Sequence, residues 1–304
     1  MKLYAPLYFK DFVCIADKCN YNCCVGWEID IDKETLDKYK LLDHSYKNAI
    51  IQSIEFEETP HFKLAAYDRC PHLNANGLCD LILNVGEDYL CEICREHPRF
   101  YNNGANHKEV GIGMSCEAAC RIILESDSYA VFVEQEENDC DERYASFDVR
   151  PCRERIYAIL SDKAMSYNDK LRSIYQEFKI SPSVLDDDAW RDVISALEYL
   201  DESHKDMFSC YSSEIVETAE CEKMLERILA YFVFRHCTQV QDEDEFRISL
   251  GFCLFCERLL ASLARRLNVV DINGMINIAV TVSEEIEYSE DNTESIMLEF
   301  TDVI

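Results

Sequence analysis

The sequence has little of what marks a nucleotide-binding, membrane or secreted protein. Glycine occurs 8 times and proline 6 times in 304 residues. The one glycine pair read between a strand and a helix, Gly111-x-Gly113 in VGIGMS, has Cys116 where a dinucleotide-binding turn needs its third glycine. No apolar run reaches the roughly 18 residues of a membrane span. The opening MKLYAPLYFKDF lacks a basic segment followed by an apolar stretch and a small-residue cleavage site, so a cytosolic, thiol-reducing setting is expected. Basic residues are scarce: 30 Lys and Arg stand against 59 Asp and Glu, a formal charge of −29. With no basic patch, nucleic acid and anionic lipid are disfavoured partners and a lysine-bearing one is favoured, although acidity also serves solubility alone. No repeat of fixed period is present.

Cysteine, by contrast, is abundant. Ten of the 17 lie in the first 120 residues, as Cys14-x4-Cys19-x3-Cys23-Cys24, then Cys70-x8-Cys79-x11-Cys91-x2-Cys94, then Cys116-x3-Cys120. An ionised thiol is a soft, charged ligand that is costly to bury alone, and converging thiolates are stabilised by a shared cation. Local pairs two to four residues apart let a turn or helix end present two sulfurs to one centre, which suits zinc and iron–sulfur clusters equally. One template fails: Cys19-x3-Cys23 begins the Cys-x3-Cys-x2-Cys motif of radical S-adenosylmethionine enzymes, but Gly26 takes the third place. For any single local pair, burial as small hydrophobes competes with ligation. The scattered Cys140, Cys152, Cys210, Cys221, Cys237, Cys253 and Cys256 read as core packing, Cys253 and Cys256 above all because of their apolar surroundings in SLGFCLFCERLL.

This asymmetry predicts a mainly α protein: an irregular, cysteine-rich, metal-binding domain over residues 1–133 with a few short strands, then an all-helical domain over residues 151–304 for substrate or partner binding. The acidic stretch from Glu134 to Pro151 is the expected joint. In the first domain, Leu36, Tyr39, Leu42, Tyr46, Ala49 and Ile50 recur at helical spacing between Asp30 and Ile54, with Asp32 as cap. A turn is expected at Asn74 to Gly77, a short helix ended by Pro98, a strand over Val110 to Met114, and a helix from Cys116 capped by Ser115. Beyond residue 151 the apolar pattern is helical almost throughout.

Other polar residues carry less specific signals. Arg95, His97 and Arg99 in CREHPRFY offer donors to an anionic ligand, the guanidinium forks matching carboxylate or phosphate, though charges near a helix end have the same appearance. His61, His72 and His107 are possible substitute ligands, each weighed against a histidine that is merely hydrogen-bonded.

The segments FVCIADKCNYNCCVGWEIDIDKETLDKY, CPHLNANGLCDLILNVGEDYLCEICREHPRF and MSCEAACRIIL resemble, in order and wording, the flagellin lysine-N-methylase family over about residues 8 to 125. The resemblance implies transfer of a methyl group from S-adenosylmethionine to lysine side chains of a flagellin-like protein, with a cysteine-bound metal centre that is an iron–sulfur cluster or, alternatively, zinc. It implies Cys14, Cys19, Cys23, Cys24, Cys70, Cys79, Cys94 and Cys116 as metal ligands, and places Arg95 and Arg99 in the arginine segment as cofactor-binding candidates. Cys91 and Cys120 have no counterpart in it, and Cys120 is expected to be packed. No catalytic residue is singled out. The competing reading is a metal-stabilised interaction or redox-sensing protein without methyltransferase activity.

Overall fold

A computed structural model describes residues 1–135, 145–182, 184–215 and 221–301. In chain order its first half contains β1 (Lys2–Pro6), α1 (Lys33–Leu41), α2 (Lys47–Gln52), β2 (Ile54–Glu55), β3 (His61–Phe62), α3 (Asp80–Val85), α4 (Glu92–Glu96), β4 (Arg99–Asn103), β5 (His107–Ile112), α5 (Glu117–Glu125) and β6 (Phe132–Gln135). The second half is helical: α6 (Arg150–Leu160), α7 (Tyr167–Glu177), α8 (Asp187–Ala196), α9 (Ser203–Phe208), α10 (Glu222–His236), α11 (Glu243–Arg266), α12 (Ile272–Val282) and α13 (Glu290–Leu298), with a π turn over Ser283–Glu287. The described chain is thus mainly α with a small mixed sheet. No helix among the described residues is long and apolar enough to cross a membrane.

Two compact units divide the chain, Val13–Phe100 and a larger one formed by Met1–Phe12 with Tyr101–Ile304. These limits differ from the sequence boundaries of 1–133 and 151–304, for a topological reason. Strand β1 pairs in parallel with β5, Lys2 opposite His107 and Tyr4 opposite Glu109, and antiparallel with β6, Leu3 opposite Gln135. The first residues of the chain therefore belong to the sheet of the larger unit, whose strand order is β4-β5-β1-β6. Half of the expected joint, residues 136–144, lies outside the described residues, Cys140 among them.

The larger unit is built around α10, α11 and α12. Helix α11 is buried from Ser249 through Ala264, and Asp242 caps it by accepting from the Asp244 and Glu245 N–H groups. Charges inside this unit are paired. Glu109 on β5 lies against the Arg153 guanidinium of α6, the His107 Nε2 at 3.0 Å and the Thr238 hydroxyl at 2.6 Å; burial opposes its ionisation, but Arg153 and His107 hold it well below the usual carboxylate range, to about 2. The VGIGMS turn is packed shut: a Cβ on Gly113 would lie 2.1 Å from the Tyr288 hydroxyl and 2.8 Å from Arg235 Nη1. Glycine is required there for protein packing rather than for a phosphate.

In the smaller unit, Asp32 caps α1 as expected, accepting from the Thr35 N–H at 2.9 Å. The helix expected across Asp30 to Ile54 is instead two helices, interrupted between Leu42 and Tyr46, where His44 Nδ1 accepts from the Tyr46 N–H at 3.1 Å. That local side-chain bond offers the backbone an alternative to the helical ladder. The break lets Leu36 and Tyr39 from α1 and Ile50 from α2 meet Ile29, Ile31, Ile54, Phe62 and Leu81 in one core, and Cys70 and Cys91 are buried members of it.

Candidate metal centre

Short backbone pairings in the smaller unit bring distant cysteines together. Residues 24–26 run antiparallel to residues 68–70: Val25 bridges Arg69, the Cys70 N–H donates to the Cys24 carbonyl at 2.8 Å, and the Gly26 N–H donates to the Asp68 carbonyl at 3.0 Å. Gly26 has φ +91°, a conformation that favours glycine. The residue that breaks the radical-enzyme motif therefore lets the chain turn beside Cys24. A second bridge, Leu73 with Cys79, closes the Asn74–Gly77 turn, in which the Asn74 side-chain oxygen accepts from the Asn76 and Leu78 N–H groups at 2.9 and 3.1 Å. Cys24, Cys70 and Cys79 thus share one neighbourhood, and all three belong to or pack on the core.

The third arm comes from α4. Cys91 is its N-cap and Cys94 lies one turn on, with the chain entering α4 fixed from α1 at two points. Asp32 Oδ2 accepts from the Glu92 N–H at 2.9 Å, and the Tyr39 hydroxyl donates to the Tyr89 carbonyl at 2.7 Å. His97–Pro98 is a cis peptide, and Pro98 ends the helix as expected.

Electrostatics link the six sulfurs. The Cys23 and Cys24 thiols interact side chain to side chain, which lowers Cys23 to about 7 and raises Cys24. Cys91 and Cys94 form a similar pair, lowering Cys91 and raising Cys94. Burial pushes Cys70 up to about 11, and Cys79 and Cys91 add to that rise. Cys94 feels Cys24 and Cys70, and Cys79 feels Cys23. In the Cys23–Cys24 and Cys91–Cys94 pairs one thiol is inclined to ionise beside one that resists it, whereas Cys70 and Cys79 are both raised. Among the described residues, no three His, Cys, Asp or Glu side chains converge closely enough to hold a metal ion as they stand. The donors nonetheless fit a soft metal in kind: six sulfurs from three chain segments, grouped in one neighbourhood of a single compact unit.

The remaining sequence candidates are placed differently. Cys14 is exposed, and its sulfur accepts from the Ala16 N–H at 3.4 Å within its own loop. The half-buried Cys19 thiol donates to the Tyr21 carbonyl. Cys116 belongs to the larger unit, where it takes the N-cap position of α5 in place of Ser115 without a side-chain capping bond, with the buried Cys120 nearby. Arg95 is exposed and lies 3.6 Å from Glu96, and Arg99 Nη1 donates to the Arg95 carbonyl at 3.1 Å, so both arginines gather at the end of α4. His72 is engaged at both ring nitrogens, Nδ1 2.9 Å from the Tyr46 hydroxyl and Nε2 3.0 Å from the Ser53 hydroxyl. Ser53 donates its own proton to the Ile50 carbonyl, so it accepts from Nε2–H and leaves Nδ1 to accept from Tyr46. His72 is a hydrogen-bonded core residue with no lone pair to spare. His61 lies near Glu28 and Glu55, and His107 belongs to the Glu109 network. Cys237, Cys253 and Cys256 are fully buried in the helical core, as their surroundings predict.

Comparison with known proteins bears on the same part of the question. The chain is 27% identical over 134 residues to the flagellar biosynthetic protein FliU of Salmonella muenchen, which covers 41% of this chain and 79% of that protein. It is 28% identical over 134 residues to the lysine-N-methylases of Salmonella choleraesuis strain SC-B67 and Salmonella typhimurium strain LT2, again over 41% of this chain but only 33% of theirs. The match therefore spans about a third of those two relatives. No protein-family model and no solved structure matches the chain. Over the matched stretch the chain is similar to lysine-N-methylases and to FliU, the relationship that the cysteine and arginine motifs suggest.

Proposed function

We propose that this protein is a protein-lysine N-methyltransferase that uses S-adenosylmethionine as methyl donor, acts on a flagellin-like protein, and holds a metal in the cysteine-rich unit. The single observation that carries the reading is the gathering of Cys23 and Cys24, Cys70 and Cys79, and Cys91 and Cys94 from three separate stretches into one neighbourhood. Soft sulfur donors in that number favour an iron–sulfur cluster, with zinc as the alternative. Bound there, the metal supplies positive charge that keeps the sulfurs ionised and ties the three stretches together. The lysine-N-methylase and FliU names of the relatives support the reaction and the substrate class.

The chain's own residues have three tasks in this reading. An amine attacks the sulfonium methyl group only after losing its proton, and the reference pKa of a lysine is about 10.4, so the site must favour the neutral amine and exclude water. The excess of acidic over basic residues attracts a lysine-bearing surface before that proton is lost. Arg95 and Arg99 offer forked donors to the carboxylate of the methyl donor. The VGIGMS turn offers it no open cradle, because Tyr288 and Arg235 fill the space beside Gly113.

The test is flagellin expressed with and without this protein and analysed by mass spectrometry. The reading expects lysines heavier by whole methyl increments only when the protein is present. Lysines unchanged in mass, with S-adenosylmethionine supplied and the metal bound, would overturn it.

A further inference from the structure

Resting on the reading above that the substrate is a lysine-bearing protein, we propose that the outer face of the small sheet in the Val13–Phe100 unit docks a lysine ammonium on that substrate's surface, between Glu28, Glu55 and His61.

The face follows from strand pairing. β2 and β3 are antiparallel, with Ile54 opposite Phe62 and Glu55 opposite His61. Residues 29–31 run along the other side of β3: Asp30 bridges His61, the Phe62 N–H donates to the Ile29 carbonyl at 3.0 Å, and the Ile31 N–H donates to the Pro60 carbonyl at 2.7 Å. Ile29, Ile31, Ile54 and Phe62 are buried members of the core. Side chains alternate across a strand, so Glu28, Asp30, Glu55 and His61 share the opposite face, where all three carboxylates are exposed. Among the described residues no lysine or arginine pairs with Glu28, Asp30 or Glu55, although Lys63 lies two positions beyond His61.

His61 makes this face more than a patch of negative charge. Its Nδ1 lies 3.0 Å from the Thr59 carbonyl, which can only accept, so the proton sits on Nδ1 and the lone pair of the neutral ring is on Nε2. Nε2 stands 3.7 Å from Glu28 Oε2 and 4.0 Å from Glu55 Oε2, too far for direct hydrogen bonds. Three acceptors thus gather with no donor among them. An ammonium donates three hydrogen bonds of about 2.8 Å in tetrahedral directions, which sets its acceptors about 4–4.6 Å apart, within reach of a small turn of the exposed carboxylates. Metal ligands stand closer, about 3–3.4 Å apart at bond lengths near 2.1 Å, and the described residues hold no such cluster. Arginine suits the face less, because its planar fork seeks both oxygens of one carboxylate, whereas a compact ammonium with rotatable donors matches acceptors from three side chains. An ammonium held in this way keeps its proton, the opposite of what attack on a methyl group requires, so the face positions the substrate rather than activating the reacting lysine.

The experiment measures binding of purified flagellin, unmodified and with its lysines acetylated, to three proteins: wild type, the face variant Glu28→Gln with Glu55→Gln, and a charge-matched control, Glu34→Gln with Asp37→Asn on α1. Unmodified flagellin should bind wild type and the control alike and the face variant about 3- to 30-fold more weakly, the scale of two exposed ion pairs. Acetylation should weaken binding to wild type and remove its advantage over the face variant, the signature of coupled partners. In methylation assays the face variant should raise KM for flagellin and leave kcat unchanged. Circular dichroism establishes that each variant is folded. Equal weakening in the face variant and the control, no weakening in either, or acetylated flagellin bound as tightly as unmodified flagellin overturns the docking face. Binding that survives acetylation but is lost when flagellin arginines are blocked with phenylglyoxal assigns the face to arginine and overturns the proposal, and zinc or magnesium that displaces flagellin from wild type but not from the face variant assigns it to a metal ion with the same result. Methylation by wild type with KM unchanged in the face variant overturns the docking face alone. Flagellin bound through the face but never methylated overturns the methyltransferase reading and leaves the docking face standing.

Discussion

The Tyr39 hydroxyl lies 3.5 Å from the Cys91 sulfur while it donates to the Tyr89 carbonyl at 2.7 Å. One buried phenol on α1 thus holds both the backbone that leads into α4 and the first sulfur of the Cys91–Cys94 pair. Replacing it by phenylalanine keeps the packing and deletes the donor. Tyr39→Phe is expected to cost about 1–2 kcal/mol, the scale of a buried hydrogen bond whose carbonyl acceptor is left unsatisfied, as read from urea unfolding. An unchanged unfolding midpoint would show that water replaces the hydroxyl.

Asp32 joins two helices with one carboxylate, accepting from Thr35 of α1 and Glu92 of α4. Burial opposes its ionisation, but the Glu92 and Thr35 N–H groups outweigh that and lower its pKa below the ordinary value. The stabilisation is therefore present above the unfolded-state pKa and is lost as pH falls through the depressed folded value. Asp32→Ala should lower stability by about 1–2 kcal/mol near neutral pH, as for loss of a strong N-cap. Denaturant midpoints across the acid range check it: the gap between wild type and variant should narrow as pH drops.

Glu109 and Arg153 are both almost fully buried and pair with each other, with His107 as a second group on Glu109. Arg153→Leu leaves the carboxylate buried beside His107 and Thr238 alone and should cost about 3–5 kcal/mol, the scale for breaking one side of a buried ion pair. The double variant Arg153→Leu with Glu109→Gln should recover part of that loss. A double variant as unstable as the sum of the single ones would place the value of these residues in packing instead.

The π turn contains three carboxylates with different fates. Glu285 accepts from the Leu200 and Asp201 N–H groups at 2.7 and 3.1 Å and lies 2.6 Å from His204 Nδ1, and Glu287 faces Arg235 and His236. Glu284 is raised from 4.5 to about 7, chiefly by burial and then by the adjacent Glu285. An acid whose folded pKa lies above its unfolded one destabilises the fold increasingly as pH rises from the lower value to the higher. Glu284→Gln should thus leave stability near pH 4.5 unchanged and raise it by about 1–3 kcal/mol above pH 7. Thermal unfolding at both pH values checks this, and a gain of equal size at both would refute it.

How much was legible in the sequence differs between residues. Asp32 was, because a cap is a local arrangement: an acceptor side chain three residues before the N–H it meets. The helices beyond residue 151 were, because their periodicity is strong over ten or more residues. The interruption between α1 and α2 was not, since the apolar spacing runs straight through it and only the His44–Tyr46 bond breaks the ladder. Sheet membership of the first residues was hidden for another reason: the partner of Lys2 is 105 positions away, at His107. Within the candidate centre, spacing identified the sulfur-rich segments but not which sulfurs face one another. That depends on the pairing of residues 24–26 with 68–70 and on Tyr39, neither of which leaves a mark in the cysteine spacing. The single signal for Cys91 was its position three residues before Cys94.

The most direct test is elemental analysis of the protein purified under reducing, oxygen-free conditions, beside a Cys70→Ser variant. Iron, or zinc in its place, should be present in stoichiometric amount in the wild type and largely absent from the variant. Wild-type protein that is folded and contains neither metal would contradict the account.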